Sequence, residues 1–179
     1  MKRLSVLSSF LILAISINAQ ETAKPAKEIL DSAYKQASEQ HKNVLVIFHA
    51  SWCGWCKKMD ASLNNSACKK FFDDNYIIIH LTVFETGAKK KLENKGADEI
   101  LKKYEAFDTG IPFWLLYDKD GNLLGDSFIK SADEKKSNIG CPASEKEVEA
   151  FVKILKATSS LNDKELAVIT TVFRKNDFQ

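Results

Sequence analysis

The chain has 179 residues, enough for one globular domain with a sizeable core and too few for two full ones. Apolar residues make up 45% and charged residues 28%, which excludes the disordered and collagen-like classes. Against 24 Asp and Glu stand 26 Lys and Arg, a formal charge of +2, so the balance gives no sign of a nucleic-acid surface.

Lys2 and Arg3 precede an apolar run from Leu4 to Ile17 that closes at Ile17-Asn18-Ala19. A basic start, an apolar stretch and a small residue at the cut read as a secretory signal peptide over 1–19. The run is shorter than the ~18–20 apolar residues a membrane span needs, and no lipid-accepting Cys lies near the cut. Cleavage after Ala19 leaves a single domain over 20–179 in the periplasm or outside the cell, where disulfides persist. No later stretch is apolar enough to cross a membrane.

Pro25 suits a first helical turn, and Ala26, Ile29, Leu30, Ala33, Tyr34 and Ala37 recur at three- and four-residue steps, predicting a helix with one apolar face. Val44-Leu45-Val46-Ile47-Phe48 is a continuous β-branched run, the pattern of a central strand covered on both faces. Past Cys56 the chain reads as helix to about Leu63, pauses at Asn64-Asn65-Ser66, and resumes with Ala67, Cys68, Phe71 and Phe72 on one face. A second strand follows over Tyr76 to Val83. Glu85 to Phe107 begins polar, with Lys89-Lys90-Lys91 as a solvated face, and turns helical through Ile100, Leu101, Tyr104 and Phe107.

Phe113 to Tyr117 and Asn122 to Ile129 flank Asp118-Lys119-Asp120-Gly121, a hairpin signal because Gly supplies a positive φ. Ser144-x-x-Glu147 and Asn162-x-x-Glu165 each open a helix in capping-box fashion. The apolar side of the last helix, at Leu166, Ile169 and Phe173, packs back on the domain or meets a partner. Strands alternating with helices and closing in a hairpin predict an α/β protein with a central mixed sheet flanked by helices.

The stretch Ser51-Trp52-Cys53-Gly54-Trp55-Cys56-Lys57-Lys58 follows the buried strand directly and opens a helix. Two cysteines three apart at a helix N-terminus can close a small ring, and the orphan N–H groups and dipole there favour negative charge. Lys57 and Lys58 add positive charge. These features predict a depressed Cys53 pKa; such motifs span roughly 3.5–7.5 against about 8.5 for a free thiol. The Cys53 thiolate then attacks a partner disulfide, and Cys56 resolves the mixed disulfide.

Trp52-Cys53-Gly54-Trp55-Cys56-Lys57 after a buried strand, with Gly110-Ile111-Pro112 ahead of a hairpin, resembles the thioredoxin superfamily. The likeness runs from about Ala26 to Leu155. It implies a thioredoxin-like fold with a core over about 26–157 and an extra C-terminal helix over about 160–175. It further implies that Pro112 is cis and packs against the dithiol, while Ile111 offers its backbone to an extended substrate peptide. With Lys57-Lys58-Met59, the motif looks most like secreted bacterial thioredoxin-like proteins, including the periplasmic reductase domain of a transmembrane electron-transfer system.

The resemblance implies a thiol–disulfide oxidoreductase with Cys53 and Cys56 as catalytic pair. Trp52, Trp55, Ile111 and Pro112 would bind substrate, with Gly54 and Lys57 in support. It implies no organic or metal cofactor beyond the redox-active Cys53–Cys56 disulfide. Its partners are protein disulfide or dithiol clients, with a membrane electron donor as a further partner. The Gly-first dipeptide leans toward reduction or isomerisation. A different class of reading is a non-catalytic binding module that holds peptides, or a soft metal such as Cu(I), through the thiolates.

The sequence departs from thioredoxin in three places. Gly54-Trp55 replaces Gly-Pro, so the direction of electron flow is not inherited. Ile47 stands where thioredoxin places a buried acid, which leaves water, or a carboxylate from elsewhere in the fold, to take the proton of the resolving thiol. Finally, 59 positions separate Cys53 from Pro112 and an insert lies between Lys130 and Ser144, both placed to cap the rim of the site.

Cys68 lies 12 residues beyond Cys56, roughly 18 Å if helical, toward the end away from the dithiol, and reads as a buried core thiol. Cys141, in Gly140-Cys141-Pro142, lies near the active-site end as a bystander or a third redox thiol. His41, His49 and His80 lack metal-ligand spacing; His49 reads as an ordinary strand-end residue or as a neighbour of the dithiol. Asp118-x-Asp120-Gly121 is similar to part of a calcium loop, but its twelfth position is Ile129 rather than Glu. Trp52 and Trp55, with Phe113 and Trp114, make an apolar landing surface for peptide, unless Trp114 serves the core.

Overall fold

The computed structural model describes residues 23–130 and 135–178. The signal peptide expected over 1–19 lies outside the described residues. Helix α1 (Ala26–Gln40) leads into strand β1 (Asn43–His49), then α2 (Gly54–Leu63), α3 (Lys69–Asn75) and β2 (Tyr76–Thr82). After α4 (Ala97–Lys103) come β3 (Phe113–Tyr117), β4 (Leu123–Asp126), β5 (Phe128–Lys130) and β6 (Lys136–Asn138), and the chain ends in α5 (Glu145–Thr158) and α6 (Asp163–Arg174).

The main sheet has the order β2-β1-β3-β4. β1 runs parallel to β2 and antiparallel to β3, which pairs antiparallel with β4. Because side chains alternate across a strand, β1 feeds two cores. Val44, Val46 and Phe48 join α1 and α4 on one face, while Leu45 and Ile47 join α2, α3, α5 and α6 on the other. β3 divides likewise, with Phe113, Leu115 and Tyr117 on the α1 side and Trp114 and Leu116 on the α2 side. The five inner residues of β1 are all buried, as a strand covered on both faces requires.

Both capping boxes form: Ser144 with Glu147, and Asn162 with Glu165. Phe173 on α6 reaches Phe151 on α5 with ring centroids 5.0 Å apart, and Phe151 meets Trp114 edge-on at 5.4 Å. The last helix is thus packed into the core by Leu166, Ile169 and Phe173.

Several expected boundaries move. α2 ends at Leu63 as expected, with the Asn64 amide donating to the Asp60 carbonyl at 2.9 Å, but α3 starts only at Lys69, with Cys68 as an N-cap that makes no side-chain cap bond; Ala67 is exposed, outside the apolar face. Between 85 and 107 only Ala97–Lys103 is α-helical, preceded by a 3-10 turn over Gly87–Leu92. The single strand expected over 122–129 breaks at Ser127. That residue is fully buried, donates its amide to the Trp114 carbonyl at 3.1 Å and accepts the Trp114 amide on its hydroxyl at 3.2 Å. The chain then leaves the main sheet, and β5 pairs with β6 of the insert. No helix among the described residues is long and apolar enough to cross a membrane.

Phe151 is 1% exposed and touches Phe72, Trp114 and Phe173. Phe151→Ala is expected to cost about 3–5 kcal/mol of stability, read as a lower denaturant midpoint with an unchanged slope.

Candidate active site

The site begins where β1 ends. The Cys53 amide donates to the Ala50 carbonyl at 3.0 Å, turning the chain so that Cys53 becomes the N-cap of α2. Its sulfur accepts the Cys56 amide at 3.1 Å, satisfying one of the donors that every helix start leaves open. Cys53 and Cys56 form a disulfide with Cα atoms 5.3 Å apart. Both are buried with Ala50 against Ile111, and the Ile111 carbonyl oxygen stands 3.5 Å from the Cys53 sulfur. The Ile111–Pro112 bond is cis.

A carboxylate clamps the loop in front of the dithiol. Glu85, just past β2, accepts the Ser51 amide at 2.5 Å and the Ser51 hydroxyl at 2.9 Å, and Lys89 donates to that hydroxyl at 3.0 Å. Bonding from the Ser51 amide first, then from its hydroxyl and the Lys89 charge, holds the Glu85 carboxyl below the usual carboxylate range. Lys89 lies on the exposed face expected of the lysine run and from there reaches the active-site loop. Next to the clamp, the Trp52 indole donates to the Phe84 carbonyl at 2.8 Å.

The insert reaches the other side. Asn138 donates to the carbonyls of Gly110 and Pro112, each at 3.0 Å. Gly140 has φ 55° and lies so close to Pro112 that a Cβ would stand 3.3 Å from its carbonyl oxygen, a contact and a conformation that favour glycine.

Of the expected site residues, Trp52 (55%) and Trp55 (48%) are exposed, and Lys58 sits 4.4 Å over the Trp55 ring. Phe113 and Trp114 are fully buried, so they belong to the core and not to a landing surface. Lys57 is exposed on the first turn of α2, and a Cβ at Gly54 would meet open space, so no close packing demands glycine there. Gly110 and Ile111 form a ridge between two clefts. One, of about 220 Å³, is lined by Trp55, Pro112 and Cys141; the other, of about 520 Å³, by Trp52, Phe84 and Phe107.

Cys68 and Cys141 are free and buried. Burial pushes their thiols up to about 11 and about 12. Their surroundings are linked through Ser62 near the end of α2. Cys68 donates to the Ser62 carbonyl at 3.3 Å, and the Asn176 amide reaches both the Ser62 hydroxyl at 3.0 Å and the Cys141 sulfur at 3.4 Å.

Between β2 and α2, His80 and Asp60 share a hydrogen bond at 2.7 Å, and the rings of His49 and His80 stand 5.0 Å apart. Burial, then the neighbouring His80, lowers the pKa of His49. The sequence offered His49 as a neighbour of the dithiol, but not its grouping with His80 and Asp60, nor Glu85 and Asn138. The one available signal of that grouping is the spacing of Asp60 four residues after Cys56, a same-face relation on a helix.

The sequence model of the Thioredoxin-like family matches residues 26–119. The chain belongs to this family. The thioredoxin-like chain is 28% identical over 135 residues to protein disulfide isomerase-like 1-1 of Arabidopsis thaliana, covering 74% of this chain and 26% of that one. It thus spans about a quarter of the length of that curated relative. Among solved structures, a disulphide isomerase from Xylella fastidiosa Temecula1 aligns at 22% identity and a TM-score of 0.46, over 65% of this chain and 80% of that one. The DsbD C-terminal domain of Neisseria meningitidis in its oxidised form aligns at 18% identity and a TM-score of 0.45, over 74% and 98%.

Glu85→Gln keeps the shape of the clamp and removes its charge. A carboxylate whose folded pKa is depressed stabilises fully above its unfolded value and loses that contribution as pH falls through the folded value. The variant is therefore expected to melt about 2–4 °C below wild type at pH 7, with the gap closing toward pH 3 in a thermal melt series.

Proposed function

We propose that the chain is a thiol–disulfide oxidoreductase acting on protein disulfides outside the cytosol, with Cys53 as nucleophile and Cys56 as resolving thiol. The observation that carries this reading is the Cys53 sulfur at the N-cap of α2. It accepts the Cys56 amide and faces the Ile111 carbonyl across a cis-proline loop. A helix N-terminus favours the thiolate over the thiol.

In the reduced protein, the Cys53 thiolate attacks one sulfur of a client disulfide. The Cys53–client bond forms, the client bond breaks, and the second client sulfur leaves as a thiolate that takes a proton from water. Cys56 then loses its proton and attacks the Cys53 sulfur. The Cys53–Cys56 bond forms, the mixed disulfide breaks, and the client leaves with both sulfurs reduced. Two electrons pass from the dithiol to the client. The lean is toward reduction or isomerisation, and a membrane electron donor is the partner that would return the disulfide to the dithiol.

An extended client laid along the Ile111 backbone sends successive side chains to opposite sides. Each side has a cleft walled by an exposed tryptophan, Trp55 on one and Trp52 on the other. Pro112 and the insert support the ridge between them. The extracytoplasmic setting rests on Lys2, Arg3, the apolar run to Ile17 and the small residue Ala19. The unit that acts there is a single domain over 20–179.

Insulin reduction driven by dithiothreitol tests the reading. Wild type is expected to accelerate precipitation of the insulin B chain, Cys53→Ser to fall to the rate of dithiothreitol alone, and reduced Cys56→Ser, freed of dithiothreitol, to accumulate a mixed disulfide with insulin visible by mass spectrometry. Suppression of aggregation that survives Cys53→Ser, or metal copurifying stoichiometrically under reducing conditions, would instead favour the binding-module reading.

A further inference from the structure

The resolving step leaves one question of chemistry open. Cys56 is 2% exposed, so its thiol is shielded from bulk water and must still lose a proton before it can attack. Ile47 offers no acid at the position where thioredoxin carries one, and it too is fully buried. The register of the parallel strands sets His80 directly beside Ile47. His80 is hydrogen-bonded at 2.7 Å to Asp60, on the helix that carries Cys56.

We propose that the Asp60–His80 pair, backed by His49, accepts the proton of the Cys56 thiol when Cys56 attacks the mixed disulfide. This inference rests on the oxidoreductase reading and deepens it. Residues four apart on a helix have Cβ atoms about 5–6 Å apart on one face, and helical side chains lean toward the N-terminus. Asp60 therefore leans toward the turn that carries Cys56, and in the proposed step the proton crosses directly or through one water.

The groups facing the pair come from each neighbouring element. His49 stands on β1, 5.0 Å from the His80 ring, with its own ring nitrogen 3.3 Å from the Thr82 hydroxyl. Glu85 acts on His49 from beyond β2. Desolvation keeps His49 on the neutral side of its ordinary range, so it adds no positive charge against a protonated His80. Asp60 and His80 have side chains about one third exposed, 38% and 35%, which gives the proton a way out to solvent after each turnover.

The proton balance is simple. Cys56–SH gives its proton to the pair, the Cys56 sulfur bonds to Cys53, and the departing client sulfur carries away the electron pair of the broken bond as a thiolate. The pair then releases its proton to water.

Stopped-flow reaction of the reduced full chain with dithiobis(nitrobenzoate) separates the two steps. The first nitrothiobenzoate release reports attack by Cys53, and the second reports resolution by Cys56. Cys68 and Cys141 are buried with raised thiol pKa values and lag both phases. Asp60→Asn and His80→Gln are each expected to slow the second release about 10–100-fold at pH 7, with the first release within about two-fold of wild type. The second phase of both variants should climb with rising pH, as hydroxide takes over from the missing acceptor, so that their deficit against wild type shrinks. A second phase with the wild-type rate and pH profile in both variants overturns the proposal while leaving the oxidoreductase reading standing. Absence of any first phase in the wild-type chain overturns both.

Discussion

A sulfur atom capping a helix is the interaction on which the rest of this site depends. The first turn of α2 needs acceptors for its open amides, and the Cys53 sulfur supplies one to the Cys56 amide. That bond draws the two sulfurs together and points helix dipole and backbone donors at Cys53. It can form only if the chain leaves β1 at a fixed angle. The angle is set by the Cys53–Ala50 turn and by the Glu85 clamp on Ser51. Behind them, β1 is the central strand, buried on both faces, with no freedom to shift its register without exposing one core or the other.

The same logic explains why the opposite wall is built from a loop and an insert. Pro112 lacks an amide and cannot extend the ladder of β3, so the segment before β3 stands away from the sheet and faces the dithiol. Its carbonyls at Gly110 and Pro112 would go unpaired without Asn138, which answers both at 3.0 Å. The β5–β6 hairpin exists to bring Asn138 and Gly140 to that position. The break at Ser127 is its hinge, since the buried hydroxyl of Ser127 also donates to the Asn138 side chain at 2.7 Å.

Features whose signal is local were legible in the sequence. The dithiol, both capping boxes, the hairpin turn at Gly121 and the two-sided burial of β1 each depend on residues a few positions apart. The tertiary contacts of the site were not. Glu85 meets Ser51 across 34 positions, Asn138 meets Pro112 across 26, and His80 meets Asp60 across 20; each pairing follows from strand register and from where the helices stop. The surroundings of Cys68 and Cys141 are tertiary in the same sense: Cys68 donates to the Ser62 carbonyl, and Asn176 donates to the Ser62 hydroxyl and to the Cys141 sulfur.

Placing an acid on α2 instead of at position 47 changes the electrostatic problem. A carboxylate inside the sheet core would be stripped of water on every side, and its charge would have to be offset by close partners. Ile47 avoids that cost and lets β1 pack against Trp114 and His80 in register. Asp60, with 38% of its side chain exposed and His80 at 2.7 Å, keeps partial hydration and a hydrogen-bond partner, so its ionised form needs no buried counter-charge. The trade is distance from the thiol. A core acid would act on Cys56 from directly beneath, whereas Asp60 acts from one turn along the same helix and rises or falls with the rigidity of α2. Cys56, Met59 and Leu63 are buried on that face, and their packing against the sheet holds the helical turn that sets the separation of Asp60 from Cys56.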